Sequence, residues 1–339
     1  MSGTRAQRVL EISSALERCA SRIEQHSRDC WSLVLSDGAD LQATALIDES
    51  WLLLDAPLPA SRATNHKSRL WQLLQWNGTL PGGAKFTVRP DGTTIHTRAE
   101  LPLNDDANLP RRVVQACAGL KAASAKYQCS EFRSPCPLGE PVPSTRSGRA
   151  LSLVEGGPGE GMQWMAAKDD GAPNGEFVEC NPAADLAAQC RESGWAFAER
   201  SGKLVVDLEV PDAFQQAVVE AKPHAVAVSV DVATSSEPLA MPCQEALALL
   251  LLRTCGIVRM VRAAAGDVGS GTTGRFQVLF GDTPSGAELG HAFSALSVAC
   301  RMASREATVL QYDETIARAY LKSVSRGSWI ATPRSDHGE

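Results

Sequence analysis

The sequence predicts an α+β protein of two tandem α-β-β-β-α-β-β-α units, each an antiparallel sheet packed against helices. Three observations predict it. The chain has 339 residues, about twice a typical domain, and 44% are apolar, enough for two cores. Residues 129–180 are rich in Pro and Gly, which interrupt helices and strands or set turns. On either side of that stretch, helical and alternating apolar patterns recur in nearly the same order. The charge balance agrees. Residues 1–128 sum to +2, residues 129–180 to −4 and residues 181–339 to −4, so acid is densest in the shortest segment. The expected domains are 1–128, an acidic linker at 129–180, and 181–339 with a C-terminal extension.

In the first half, Val9, Ile12, Leu16, Cys19 and Ile23 recur at helical spacing and predict an amphipathic first helix. Residues 31–36, 41–48 and 50–55 suit three strands, with Asp37-Gly38 as a turn, and the simplest arrangement is an antiparallel meander. Pro57 and Pro59 mark the exit from the third strand. A second helix carries Leu70, Leu73 and Leu74 and stops near Asn77-Gly78, residues that accept the left-handed conformation. Ala84, Phe86 and Val88 alternate with Lys85, Thr87 and Arg89, and beyond Pro90-Asp91-Gly92 a polar row of Thr94, His96, Arg98 and Glu100 alternates with apolar neighbours. That pattern predicts a hairpin with one face in the core and one in water. Asn104-Asp105-Asp106 offers a helix start, with Leu109, Val113, Cys117 and Leu120 as its stripe.

The second half runs in parallel. Asn181-Pro182 opens a short helix with Leu186 and Cys190 on one face. Strands follow at 195–199 and 203–210, the second with Leu204, Val206, Leu208 and Val210 on its apolar face. A helix is expected at 211–220, which the first half lacks, and Val226, Val228, Val230 and Val232 make the next strand. A helix with Pro242 near its start runs through Leu252, a hairpin joins 257–263 to 275–280, and Thr283-Pro284 begins a long helix. The two halves form an internal repeat far longer than the roughly 20–50 residues of a solenoid repeat.

Composition excludes several classes. A net charge of −6 argues against a nucleic-acid binder, which carries a basic excess. No apolar run approaches the roughly 18–20 residues that span a bilayer, and the first residues lack a signal peptide's apolar stretch, so a soluble cytoplasmic protein is expected. Ten cysteines without a Cys-x-x-Cys pair predict packing thiols rather than a disulfide scaffold or metal centre.

No chemical motif survives its context. Gly269-Ser270-Gly271-Thr272-Thr273-Gly274 matches the dinucleotide fingerprint, but a strand follows it where a helix N-terminus should meet phosphate. The overlapping Walker-like run has Thr272 where the phosphate-binding Lys belongs, so a flexible hairpin loop is expected. His96 and Glu100 share a strand face and in principle serve acid–base chemistry, but a solvated row opposite Lys85, Thr87 and Arg89, with ordinary cross-strand charge pairs, is the expected reading. His26, His66, His224, His291 and His337 have no zinc-ligand spacing. No catalytic residue, metal or cofactor is assigned. Trp31 and Trp51 lie in predicted strands, while Trp71 and Trp76 flank the second helix's stripe. Packing accounts for most of them, but large aromatics beside an open sheet edge suit an extended peptide. Trp51, Trp71 and Trp76 are therefore the candidate partner-binding residues.

The element order resembles the type III secretion chaperone-like fold, the superfamily that includes YbjN-type proteins. The resemblance is carried by residues 70–120 and 247–302, each a helix, a hairpin and a terminal helix. It implies a non-enzymatic module that holds a protein or peptide segment on apolar surface, without nucleic acid or membrane. Members of that fold dimerise through a helix and an adjacent sheet edge, so two fused units imply a pseudo-dimer within one monomeric chain, burying apolar surface between its halves. The alternative is an enzyme or nucleotide-binding protein that uses the His96/Glu100 face or the glycine loop. The linker's Leu151, Leu153, Val154, Trp164 and Met165 have no use in a solvated connection, and an extended pseudo-client is one reading of them.

Overall fold

The computed structural model describes residues 5–36, 40–59, 66–80, 83–89, 94–103, 109–132, 182–210, 213–222, 225–268, 271–280 and 283–325. Almost all of the expected linker lies outside them, and so do its apolar residues. The first unit is built from α1 (Arg5–Cys19), β1 (Arg22–Ser27), β2 (Cys30–Ser36), β3 (Asp40–Asp48), β4 (Trp51–Pro57), α2 (His66–Asn77), β5 (Lys85–Val88), β6 (Ile95–Pro102) and α3 (Leu109–Phe132). The second comprises α4 (Pro182–Glu192), β7 (Phe197–Arg200), β8 (Lys203–Val210), β9 (Ala213–Lys222), β10 (Ala225–Ser235), α5 (Met241–Ile257), β11 (Arg262–Val268), β12 (Gly271–Phe280), α6 (Gly286–Tyr312) and α7 (Glu314–Ser325).

The strand orders are β1-β2-β3-β4-β6-β5 and β7-β8-β9-β10-β12-β11, all pairs antiparallel. These are the same topology twice. The α+β class and the repeat therefore stand, with each unit one strand richer than the pattern suggested.

Both extra strands have physical causes. The helical spacing of Ile23 is coincidental: α1 ends at Cys19, and Ser21 then bonds Val34 O through its amide at 2.9 Å and its hydroxyl at 3.1 Å. That contact aligns the charged, exposed β1 along β2, where pairing rather than burial holds it. The helix expected at 211–220 is instead β9. Its Gln, Ala and Glu favour helix, but pairing with β8 on one side and β10 on the other overrides that weak preference. Ala217 and Val219 face the core, and Lys203 pairs with Glu220 across the strands at 3.0 Å. Two boundaries also move. Residues 257–261 are not strand, since α5 runs to Ile257, and α3 continues to Phe132 past the expected linker start.

Alternation makes the sheets two-faced. β3 buries Leu41, Ala43, Ala45 and Ile47 and exposes the residues between them. In the first unit α1 and α3 pack together, with α3 laid over β6. In the second, α6 lies over β8 and β10 with α4 beside it. Ser285 caps α6: its hydroxyl accepts from the Glu288 amide at 3.3 Å while the Glu288 carboxylate accepts from the Ser285 amide at 2.9 Å.

α5 is apolar on nearly every side, burying Leu247, Leu249, Leu250, Leu251 and Leu252, because no side of it meets much water. It packs on α6, α7, β11 and β12 of its own unit and on α2 and β5 of the first. α2 in turn packs on β11. Each unit thus lays its second helix on the other's terminal edge strand, and the buried residues of both form one apolar cluster.

Candidate functional site

The chemistry-bearing residues gather where the units meet. Alternation along β6 sends His96, Arg98 and Glu100 away from the first unit's core, and β4 and β5 add Asp55 and Lys85 to the same face. Lys85 pairs with Arg98 in register, and so does Asp55 from the other side. This row was expected to face water. It does not: the Lys85, His96 and Glu100 side chains are each 3% exposed, because the C-terminal end of α5 and the chain leading into β11 cover them.

Lys85 Nζ donates to Glu100 Oε2 at 2.8 Å and to the carbonyls of Cys255 and Val261, each at 2.9 Å, with Val258 O more distant at 3.4 Å. Its three protons are thereby satisfied, and two of the three acceptors belong to the other unit. A cation beside the last carbonyls of α5 also complements the negative end of that helix. Glu100 Oε2 accepts from the Met260 amide at 2.7 Å. Arg98 donates through Nε to Asp55 Oδ1 and through Nη1 to Gly256 O, each at 2.8 Å, and His96 Nδ1 meets Asp55 Oδ2 at 2.7 Å.

The opposite crossing repeats the device. Arg262, the first residue of β11 as Lys85 is of β5, is fully buried and donates through Nη1 to Asn77 O at 3.1 Å and Leu80 O at 3.0 Å, at the C-terminal end of α2. Burial lowers its pKa to about 10, yet a guanidinium stays charged at neutral pH. Asn77 turns its amide onto β5, donating from Nδ2 to Phe86 O at 3.0 Å and accepting from Phe86 N at 2.6 Å. It stands in for a neighbouring strand on a sheet edge that would otherwise be open.

A His–carboxylate pair suits proton transfer only where a substrate can reach it. With His96 sealed, the Asp55 contact fixes a ring and a helix end instead. Burial alone would raise the Asp55 pKa, but the His96 hydrogen bond and the Arg98 charge outweigh it and hold it below its ordinary 3.8. A depressed carboxylate contributes stability above its unfolded pKa and loses it as pH falls through the folded one. Asp55→Asn is therefore expected to lose about 1–3 kcal/mol at pH 7 and to unfold with less acid dependence below about pH 4; urea titrations at several pH values check both.

The glycine motif is strand. Gly271 to Gly274 belong to β12, while Gly269 and Ser270 lie outside the described residues. A Cβ at Gly274 would come 3.0 Å from Leu251 Cδ1, so this glycine lets α5 approach the sheet rather than cradle a phosphate. Among the described residues no cluster of His, Cys, Asp or Glu could hold a metal. The thiols of Cys255 and Cys300 are pushed up to about 12 by burial, as packing side chains.

The three tryptophans separate. Trp71 is core, 6% exposed. Trp76 is half-buried, 6.0 Å from the Phe86 ring, with Lys126 Nζ 5.7 Å from its own. Trp51 is half-buried on the outer face of the first sheet, where the Arg259 guanidinium lies 5.9 Å from its ring and pairs with Asp48. Beside it, Leu53 and Leu46 are opposite each other across β4 and β3, and Cys30 faces Leu46 from β2. Leu46 is 40% exposed. This apolar row begins where the second unit's cover ends.

Arg262, Asn77 and the carbonyls around α5 were not anticipated. Their signal is positional: in each half the strand after the second helix opens on a cation. No protein-family model matches the chain, and no curated protein is similar to it. No helix among the described residues is long and apolar enough to cross a membrane.

Proposed function

We propose that this chain is a non-enzymatic protein-binding module, an internal pseudo-dimer of two units resembling secretion-chaperone and YbjN-type folds. The observation that carries the reading is the sealing of the polar row. The groups able to do acid–base work are occupied in joining two helices to two sheets, while the open part of the same face carries an apolar strip beside polar Gln42, Thr44 and Ser32. That strip, Trp51, Leu53 and Leu46, is the surface assigned to an apolar segment of a partner protein. Strand addition is less suited there, since β4 and β3 are interior strands and contact falls on side chains. A reducing, cytoplasmic setting suits a chain whose described cysteines are free thiols.

The test is suppression of aggregation of a chemically denatured model client, followed by light scattering. The full chain is expected to reduce scattering at stoichiometric ratios without nucleotide. Leu46→Glu is expected to weaken client binding roughly tenfold or more, since burying a leucine contributes about 1.5–3 kcal/mol, and Trp51→Ala is expected to act likewise. Equal protection by the variants, or none by the wild-type chain, would sink the reading.

A further inference from the structure

A pair of thiols lies between the first and last helices of the first unit. α1 buries Val9, Ile12 and Leu16, and Cys19, its last residue, continues that stripe. α3 buries Val113, Cys117 and Leu120. The two helices pack on each other, and there the thiols of Cys19 and Cys117 share a hydrogen bond. Neither is in a disulfide.

Their surroundings differ in the way that thiol exchange needs. Cys19 is half-buried and within reach of a small reagent, whereas Cys117 is fully buried. The bond to Cys19, with burial, pushes the Cys117 thiol well above its ordinary 9, so Cys19 is the sulfur that ionises first. Lys121, one turn along α3, works the other way and favours a thiolate at Cys117 when one is needed. The negative end of α1 opposes ionisation of Cys19, so exchange is slow.

We propose that Cys19 and Cys117 are a reversible redox pair, closed by a low-molecular-weight disulfide and reopened by a thiol. The Cys19 thiolate attacks one sulfur of the reagent, whose S–S bond breaks and whose other half leaves as a thiolate. Cys117 then loses its proton and attacks the Cys19 sulfur, and the mixed disulfide breaks with departure of a second thiolate. The two protein thiols lose two electrons, the reagent gains them, and the two protons end on its thiols. Closure ties the end of α1 to α3. Because Ser21 anchors β1 on β2 two residues further on, the edge strand is secured as well. The pair lies on the helical side of the first sheet, away from Trp51, so the inference stands apart from the client-binding proposal.

Incubation of the full native chain with excess oxidised glutathione at about pH 8 tests it, with acid quenching, alkylation and tryptic mapping. Residues 19–22 and 113–121 are expected as one linked peptide, formed over minutes to hours and lost on adding dithiothreitol. Cys19→Ser is expected to abolish it. Cys117→Ala is expected to leave a lasting mixed disulfide at Cys19, a readout that loss of packing alone would not produce. Closing a loop of about 100 residues is expected to raise the melting temperature by roughly 5 °C or more, and not in Cys19→Ser. A native chain in which the two peptides stay unlinked overturns the proposal. So does a link that forms only in urea, joins two chains or lowers the melting temperature, because the native packing would then not accept the bond.

Discussion

Glu100→Ala is expected to destabilise the protein by about 3–5 kcal/mol, the range for removing one partner of a buried ion pair. The Lys85 ammonium would remain buried with carbonyls as its only acceptors, and the Met260 amide would lose its own. Urea denaturation reads the loss as a lowered midpoint. The double variant Lys85→Met with Glu100→Leu is expected to recover part of it, since an apolar pair leaves no uncompensated charge but still strips the Met260 amide and the Cys255 and Val261 carbonyls of their partners. A Glu100→Ala loss below about 1 kcal/mol would mean that water reaches the pair.

Gly256→Ala is expected to be destabilising although it sits in a helix, where alanine is normally favoured. An added Cβ would stand 2.9 Å from Val88 O and 3.7 Å from Thr87 Cβ, and the first of these is backbone with no rotamer to yield. Either β5 or the end of α5 must shift, and overpacking of this kind costs about 1–3 kcal/mol. The shift also disturbs the Arg98 bond to Gly256 O and the Lys85 bonds just beyond it. Gly290→Ala is the matched control. There the Cβ meets Ser193 O at an ordinary 3.5 Å, so the change is expected to stabilise α6 by up to about 1 kcal/mol. Thermal unfolding of the two variants should move in opposite directions.

Of the elements that escaped sequence reading, α7 lies in what was expected only as a C-terminal extension, and the other two, β1 and β9, are strands whose evidence is relational. Nothing in Arg-Ile-Glu-Gln-His-Ser marks β1, because an edge strand is held by its neighbour's backbone and can expose most of its side chains. β9 reads as helix residue by residue and is a strand because β8 and β10 flank it. By contrast, β3 and the α6 stripe are legible, since each has one apolar face and one wet face. The polar row failed for the same reason that these succeed. Alternation tells which side chains leave the core of their own sheet, and Lys85, His96, Arg98 and Glu100 do leave it. It carries no information about a second unit whose contacts begin 158 residues further along the chain. The recurrence of the pattern was visible in the sequence; the matching cations, Lys85 and Arg262, were the part of it that pointed to the junction.

The reciprocal helix caps also impose a waiting time on synthesis. Lys85 and the Val261 carbonyl that it bonds are 176 residues apart. At roughly 5–20 residues per second, the first unit leaves the ribosome about 10–35 s before its acceptors exist. Were its docking face wholly apolar, that interval would expose a surface to which other unfinished chains adhere. Lys85, Arg98, Asp55 and Glu100 instead give that face charged groups that water can solvate until the carbonyls and amide of the second unit replace it. A charged junction keeps the half-made protein solvated.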